Sequence, residues 1–151
     1  MASVQLSDVS FGYGERALFS KLTLELAEGK VTSIIGPNGC GKSSLLKLAS
    51  GICKPWKGSI SVMGRDVSAL SSKERARLLS LLTQEHAAPP MSMRRLVACG
   101  RYPHHGILAT IDAADYEAVE RALEACRLAD LAERPVAELS GGQRQRAFIA
   151  M

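Results

Sequence analysis

"GPNGCGKS", residues 36–43, decides how this chain is read. It meets the pattern G-x-x-x-x-G-K-[ST] at every fixed position. The stretch before it, "VTSII" (31–35), is short, mostly β-branched and apolar, which suits a strand buried on both faces of a parallel sheet. The stretch after it, "LLKLAS" (45–50), has helical spacing, and Gly51 stands where a terminating glycine would. A strand, a glycine-rich turn and a helix start are the parts a triphosphate needs. Glycines let the backbone wrap a dense anion with its N–H groups inward, and the helix N-terminus adds partial positive charge. Lys42 is placed to reach the outer phosphates, and Ser43 to offer its hydroxyl to Mg²⁺. The plain alternative, a glycine-rich turn with a surface lysine, leaves the strand before and the helix after unexplained.

Upstream, "SVQLSDVSFGYGERALFSKLTLELAEGK" (3–30) holds two or three short strands. Leu22, Leu24 and Leu26 alternate with Thr23 and Glu25, as in a half-buried strand, and Glu28-Gly29 is a turn. Downstream, "GSISVMGRDV" (58–67) is a strand followed by a turn. "LSSKERARLLSLLTQ" (70–84) opens as a helix with Ser71 and Glu74 as a capping box, and ends as an apolar strand over about Leu78 to Thr83, closing at Gln84. Pro89-Pro90 forbids helix and makes "EHAAPPMSM" (85–93) a loop. In "DAADYEAVERALEAC" (112–126), Tyr116, Val119, Leu123 and Cys126 form a core stripe, and Asp112 and Asp115 suit a helix N-terminus. Strands dominate the first half and helices the second.

The 151 residues fit one domain, and 46% hydrophobic with 23% charged residues is the composition of a soluble globular chain. A net charge of +4, with no dense Lys/Arg run, reads as a solvated surface and gives no support for nucleic-acid binding. Cys40, Cys53, Cys99 and Cys126 form no CxxC pair and have no histidine at zinc-finger spacing, so they read as reduced thiols of a cytosolic protein. No apolar run approaches the roughly 18 residues of a membrane span, so a membrane role must come through a partner.

The loop alone does not say which nucleotide enzyme this is; the end of the chain does. "LSGGQ" (139–143) followed by "RQR" resembles the signature motif of ATP-binding cassette (ABC) ATPases. Ser140 can cap a helix, and Gly141 and Gly142 permit close backbone approach to an anion at its N-terminus. The resemblance covers residues 1–151. It implies an α/β P-loop NTPase core with N-terminal antiparallel strands and a helical subdomain, incomplete at the C-terminus. The whole chain is then the N-terminal portion of one ABC ATPase domain: 1–84 the nucleotide-binding α/β part, 85–138 the helical subdomain, 139–151 the signature and the start of its helix.

The same resemblance implies the site residues. ATP is held by Gly36, Pro37, Asn38, Gly39, Cys40, Gly41, Lys42, Ser43 and Ser44. Tyr13 resembles the aromatic that stacks on adenine, with Phe11 as the competing candidate. Gln84 resembles the glutamine that approaches Mg²⁺ beside Ser43 and senses the transport partner; with Lys42 it supports catalysis. Ser140, Gly141, Gly142 and Gln143 contact the ATP of a second ATPase subunit in a head-to-tail homodimer. The family's water-positioning glutamate, Mg²⁺-binding aspartate and γ-phosphate histidine all follow the signature helix. Asp130, Glu133, Glu138, His86, His104 and His105 precede it and match none of them. The 151-residue chain alone is therefore expected to be inactive or nearly so. In related cores the strands flanking the P-loop strand also come later, so 31–35 is expected to expose unpaired backbone and apolar faces, and the stop at Met151 reads as a truncation.

"ACGRYPHHG" (98–106) and the tail "GGQRQRAFIAM" (141–151) are similar to ATPases of ferric siderophore, haem and cobalamin importers. That implies a cytoplasmic subunit on the inner face of the membrane, attached only through a transmembrane permease. Tyr102, His104 and His105 read as a polar surface loop; neighbouring histidines rarely converge on a metal, and no third ligand is evident. The alternatives are a non-catalytic nucleotide-binding fragment and a soluble ABC ATPase outside transport. Cys40, beside Lys42 and a helix N-terminus, sits where a reactive thiol is expected.

Overall fold

The computed structural model describes residues 2–83, 88–105 and 112–151. They divide into two compact units, split between Leu81 and Leu82.

The first unit is built on a hairpin. Strand β1 (Ala2–Tyr13) turns through Gly14, at φ 58°, into β2 (Arg16–Ala27). A two-residue turn with glycine first matches the right-handed twist of the strands it joins. Helix α1 (Lys42–Ala49) follows the loop, then β3 (Lys57–Val62), β4 (Arg65–Asp66) and helix α2 (Ser72–Leu78). The sheet is antiparallel throughout, in the order β2-β1-β3-β4. The half-buried alternation of Leu22, Leu24 and Leu26 is present as expected.

The simple alternation fails in β1. Leu6 and Val9 are three residues apart, yet both are fully buried. Asp8 lies between them at φ 50°, an extra residue that slips the register against both neighbours. This bulge changes which parity faces the core, so Val9 and Phe11 join Leu6, Leu48, Ile60, Val62 and Val67 in one cluster. Lys21 makes the matching bulge in β2 at φ 51°. Both displaced amides find partners: Asp8 N donates to Thr23 Oγ1 (3.2 Å) and Lys21 N to Ser10 Oγ (3.1 Å). Leu48 anchors α1 to this cluster, and Gly51, at φ 71°, ends the helix as its position suggested.

Two expected strands are missing. Residues 31–35 carry no ladder, and Val31 and Ile35 are 98% and 92% exposed. A strand exists only as a paired element, and no described strand runs beside this one. The exposed apolar faces anticipated for it are present. Residues 79–83 are likewise irregular: α2 runs through Leu78, and the described residues from there to Thr83 carry no ladder. The Ser71–Glu74 capping box does form, with Ser71 N donating to Glu74 Oε2 (2.9 Å) and Glu74 N to Ser71 Oγ (3.3 Å).

The second unit is helical: α3 (Met93–Cys99), α4 (Ala113–Ala125) and α5 (Gly141–Ala150), joined by 3₁₀ turns at 102–104, 129–131 and 136–138. Met93, Leu96, Val97, Val119, Leu123, Leu128, Val136 and Leu139 form its core. The stripe on α4 is rotated from the expected one. Val119 and Leu123 are buried, but Tyr116 is exposed and Asp115 takes the inward position. The reason is polar: the Asp115 carboxylate has partners inside that a phenol there would displace. Arg101 Nε donates to it (2.8 Å), and His105 Nε2 lies 2.5 Å away.

Candidate nucleotide-binding site

The loop from Gly36 to Gly41 lies on the surface and leads directly into α1. Gly39 and Gly41 adopt left-handed backbone at φ 80° and 99°, a region side chains resist. Gly41 is required twice over, because a Cβ there would come within 2.7 Å of Phe19. No side chain caps α1, whose N-cap is Gly41 itself, so its first amides are left for an outside acceptor. Lys42 folds back across the loop, with Nζ donating to Gly36 O (2.9 Å) and Pro37 O (2.8 Å). The ammonium therefore sits at the loop's mouth, held by carbonyls that an anionic oxygen can replace. Ser43, the next residue, is exposed. Cys40 Sγ is 3.9 Å from Lys42 Nζ.

Tyr13 comes to the same place from the hairpin. Its hydroxyl and the Ser44 hydroxyl are hydrogen-bonded at 3.1 Å, and its ring meets Phe11 edge-on with centroids 5.2 Å apart. Phe11, the competing aromatic, is buried in the sheet core, whereas Tyr13 is 58% exposed. The link to Ser44 spans 31 residues, and nothing in the local pattern signals it. Gln84 lies outside the described residues. A separate cavity of about 360 Å³ lies beyond the C-terminal end of α1, lined by Leu48, Lys54, Ile60, Val67 and Arg75, and includes no residue of the loop.

In the second unit, Ser140 caps α5 by accepting from Gln143 N (3.3 Å), while Ser140 N donates to Gln143 Oε1 (2.9 Å). This capping box spends the Gln143 side chain locally. Gly141 and Gly142 have ordinary helical backbone, and a Cβ at either would meet nothing within 4 Å. Neither the fold of this unit nor its packing asks for glycine there. The start of α5 is fixed by Arg146 Nη1 donating to Cys126 O (3.1 Å) and Arg144 Nη2 to Leu139 O (3.3 Å).

The histidine pair does not form the expected surface loop. His104 is exposed, but His105 turns inward to Asp115. His105, Asp112 and Asp115 offer ligand atoms within 4.8 Å of one another. These groups are already engaged: Asp115 with His105 and Arg101, and Asp112 Oδ1 with the Asp115 amide (2.9 Å). Contact with His105, then Arg101, holds the Asp115 carboxyl well below the usual carboxylate range.

Comparison with known proteins shows the family and the fold. The chain is 44% identical over 152 residues to the "Probable siderophore transport system ATP-binding protein YusV" of Bacillus subtilis (strain 168), covering 100% of this chain and 55% of the relative. It is 41% identical to the ferric enterobactin transport ATP-binding protein FepC of Escherichia coli (strain K12), covering 100% and 56%. The chain thus spans about half the length of the curated relatives it matches. Among solved structures it is similar to an inward-facing metal-chelate type ABC transporter, at 30% identity and TM-score 0.75 over 99% of this chain and 54% of that one. It is also similar to an ATP-binding cassette of an ABC transporter, at 25% identity and TM-score 0.81 over 99% and 64%. The fold is that of an ABC ATPase, with the antiparallel N-terminal strands and helices expected of it. The ABC transporter family pattern matches residues 19–151, which include both the Gly36–Ser43 loop and the Ser140 helix cap, and the chain belongs to that family.

Proposed function

We propose that this chain is the ATP-binding portion of an ABC ATPase that powers import of an iron–siderophore or a related haem or cobalamin cargo. The observation that carries the nucleotide reading is the loop itself. Two left-handed glycines open the backbone, α1 begins without a side-chain cap, and Lys42 is parked on carbonyls at the mouth. Gly36 to Ser44 would hold ATP, Ser43 and Gln84 would hold Mg²⁺, and Tyr13 would stack on adenine. Held by Ser43 and Gln84, Mg²⁺ would neutralise part of the phosphate charge.

Ser140 to Gln143 would meet the γ-phosphate on a second copy of the subunit. The open space above Gly141 and Gly142 supports this, since glycine costs helix stability without any gain inside the unit. The partners are thus a homodimeric mate and a transmembrane permease. The protein would work in the cytoplasm, at the inner face of the membrane and only through that permease. The cargo class rests on the siderophore-transport relatives. By itself the 151-residue chain is expected to bind nucleotide with slow turnover or none.

Two measurements test this. Titration with a fluorescent ATP analogue should show saturable binding that Lys42→Ala abolishes; equal binding by that variant would sink the site assignment. Deleting the gene should abolish uptake of a ferric siderophore, haem or cobalamin. Unchanged uptake of all three would remove the importer reading and leave the nucleotide site standing.

A further inference from the structure

The Tyr13 ring is more than half exposed, yet it is held at two points. Its backbone is set by the ladder, where Tyr13 pairs with Arg16 across the two-residue turn. That leaves two side-chain torsions free. Phe11 meets the ring edge-on at an interplanar angle of 77°, and the hydroxyl reaches Ser44 at 3.1 Å. Ser44 is only 8% exposed and sits in the first turn of α1, two residues after Lys42. The hydroxyl pair is thus a strut between the hairpin and the helix that begins at the phosphate loop.

We propose that the Tyr13–Ser44 hydroxyl pair is a positioning device, holding the ring at a fixed offset from the phosphate loop before nucleotide arrives. This rests on the reading of Gly36 to Ser44 as a nucleotide site and deepens it. An untethered exposed tyrosine samples several rotamers, and a base that needs one of them must select it. The strut removes that selection, so affinity for nucleotide depends on a hydroxyl that never touches the phosphates. Tyr13 therefore acts through two separable parts, the ring that faces the base and the oxygen that aims the ring.

The test is a double-mutant cycle in the full chain, read by displacement of a fluorescent ATP analogue by ATP or by tripolyphosphate, which has no base. Tyr13→Phe keeps the ring and loses the strut; it should weaken ATP binding about three- to tenfold, the range of one hydrogen bond. In a Ser44→Ala background the same change should cost nothing. In a Ser44→Thr background, which keeps a hydroxyl, the cost should return. Tripolyphosphate affinity should not differ between wild type and Tyr13→Phe. An unchanged ATP affinity in Tyr13→Phe, an equal cost in the Ser44→Ala background, or an equal loss for tripolyphosphate overturns the proposal. Tyr13→Ala separates the two layers. If it weakens ATP binding while Tyr13→Phe does not, the strut alone is wrong; if it changes nothing, the stacking assignment fails with it.

Discussion

At the scale of single residues, three positions carry distinct consequences. Gly41 combines φ 99° with a packed neighbour, so Gly41→Ala meets both backbone strain and Phe19. It should lower stability by about 1–2 kcal/mol, seen as a reduced urea midpoint. Cys40 faces Lys42 across 3.9 Å inside the loop. Alkylating it should block nucleotide binding, and bound ATP should protect it; equal labelling rates with and without ATP would count against its place in the site. Asp115 is 1% exposed and held ionised by His105 and Arg101. Its folded carboxyl titrates below the ordinary value of 3.8. The stabilisation it brings is therefore complete above that value and is lost as pH falls through the lower folded one. Asp115→Asn should lower the urea midpoint at pH 7, with the gap to wild type closing below about pH 3.8.

At the scale of elements, the helix starts are the clearest case of local chemistry setting structure. Ser71, Asp112 and Ser140 each cap a helix, each with a reciprocal partner three residues on. The Ser71–Glu74 box and the Ser140 cap are legible, because a cap is a contact within four residues; Asp112 and Asp115 read only as acids suited to a helix start. Glu74 is drawn from 4.5 to about 2, first by the Ser71 amide and hydroxyl and then by Arg65. The α2 cap should therefore persist to about pH 2 and loosen below it, measurable as helix loss by circular dichroism. What the sequence did not disclose is longer in range. The Tyr13–Ser44 link and the inward turn of Asp115 join groups 31 and 10–14 residues apart, and no periodicity reports them. The strand expected over about Leu78 to Thr83 fails for the same reason, since a strand depends on neighbours that its own residues do not specify, whereas 31–35 lies unpaired as anticipated. Gly141 and Gly142 make a prediction of their own. Gly142→Ala should raise stability by about 0.5–1 kcal/mol, seen as a higher urea midpoint, while reducing ATP-driven association of two copies.

At the scale of the molecule, each unit has its own apolar cluster, and the two most exposed large apolar residues among those described, Val31 and Ile35, lie where the expected central strand is unpaired. Val31 and Ile35 contribute nothing to either cluster. An exposed apolar run of this kind promotes self-association. Ile35→Lys should therefore reduce concentration-dependent light scattering of the 151-residue chain and leave its urea midpoint unchanged. A fall in that midpoint would show the residue to be packed. The first unit carries the Gly36–Gly41 loop and the start of α1, and the second carries the Ser140-capped helix start with its open glycines.

The bulge at Asp8 has a consequence for how this protein can change over evolutionary time. Strand alternation is a two-beat rhythm, and one added residue shifts its phase for everything that follows. In β1 that phase puts Val9, Phe11 and Tyr13 on a common side of the sheet, the side α1 occupies. Deleting Asp8 would leave each of those side chains intact and send them to the opposite side. Substitutions along β1 are local events, but a one-codon deletion there is a single step that separates the Tyr13 hydroxyl from Ser44 on α1.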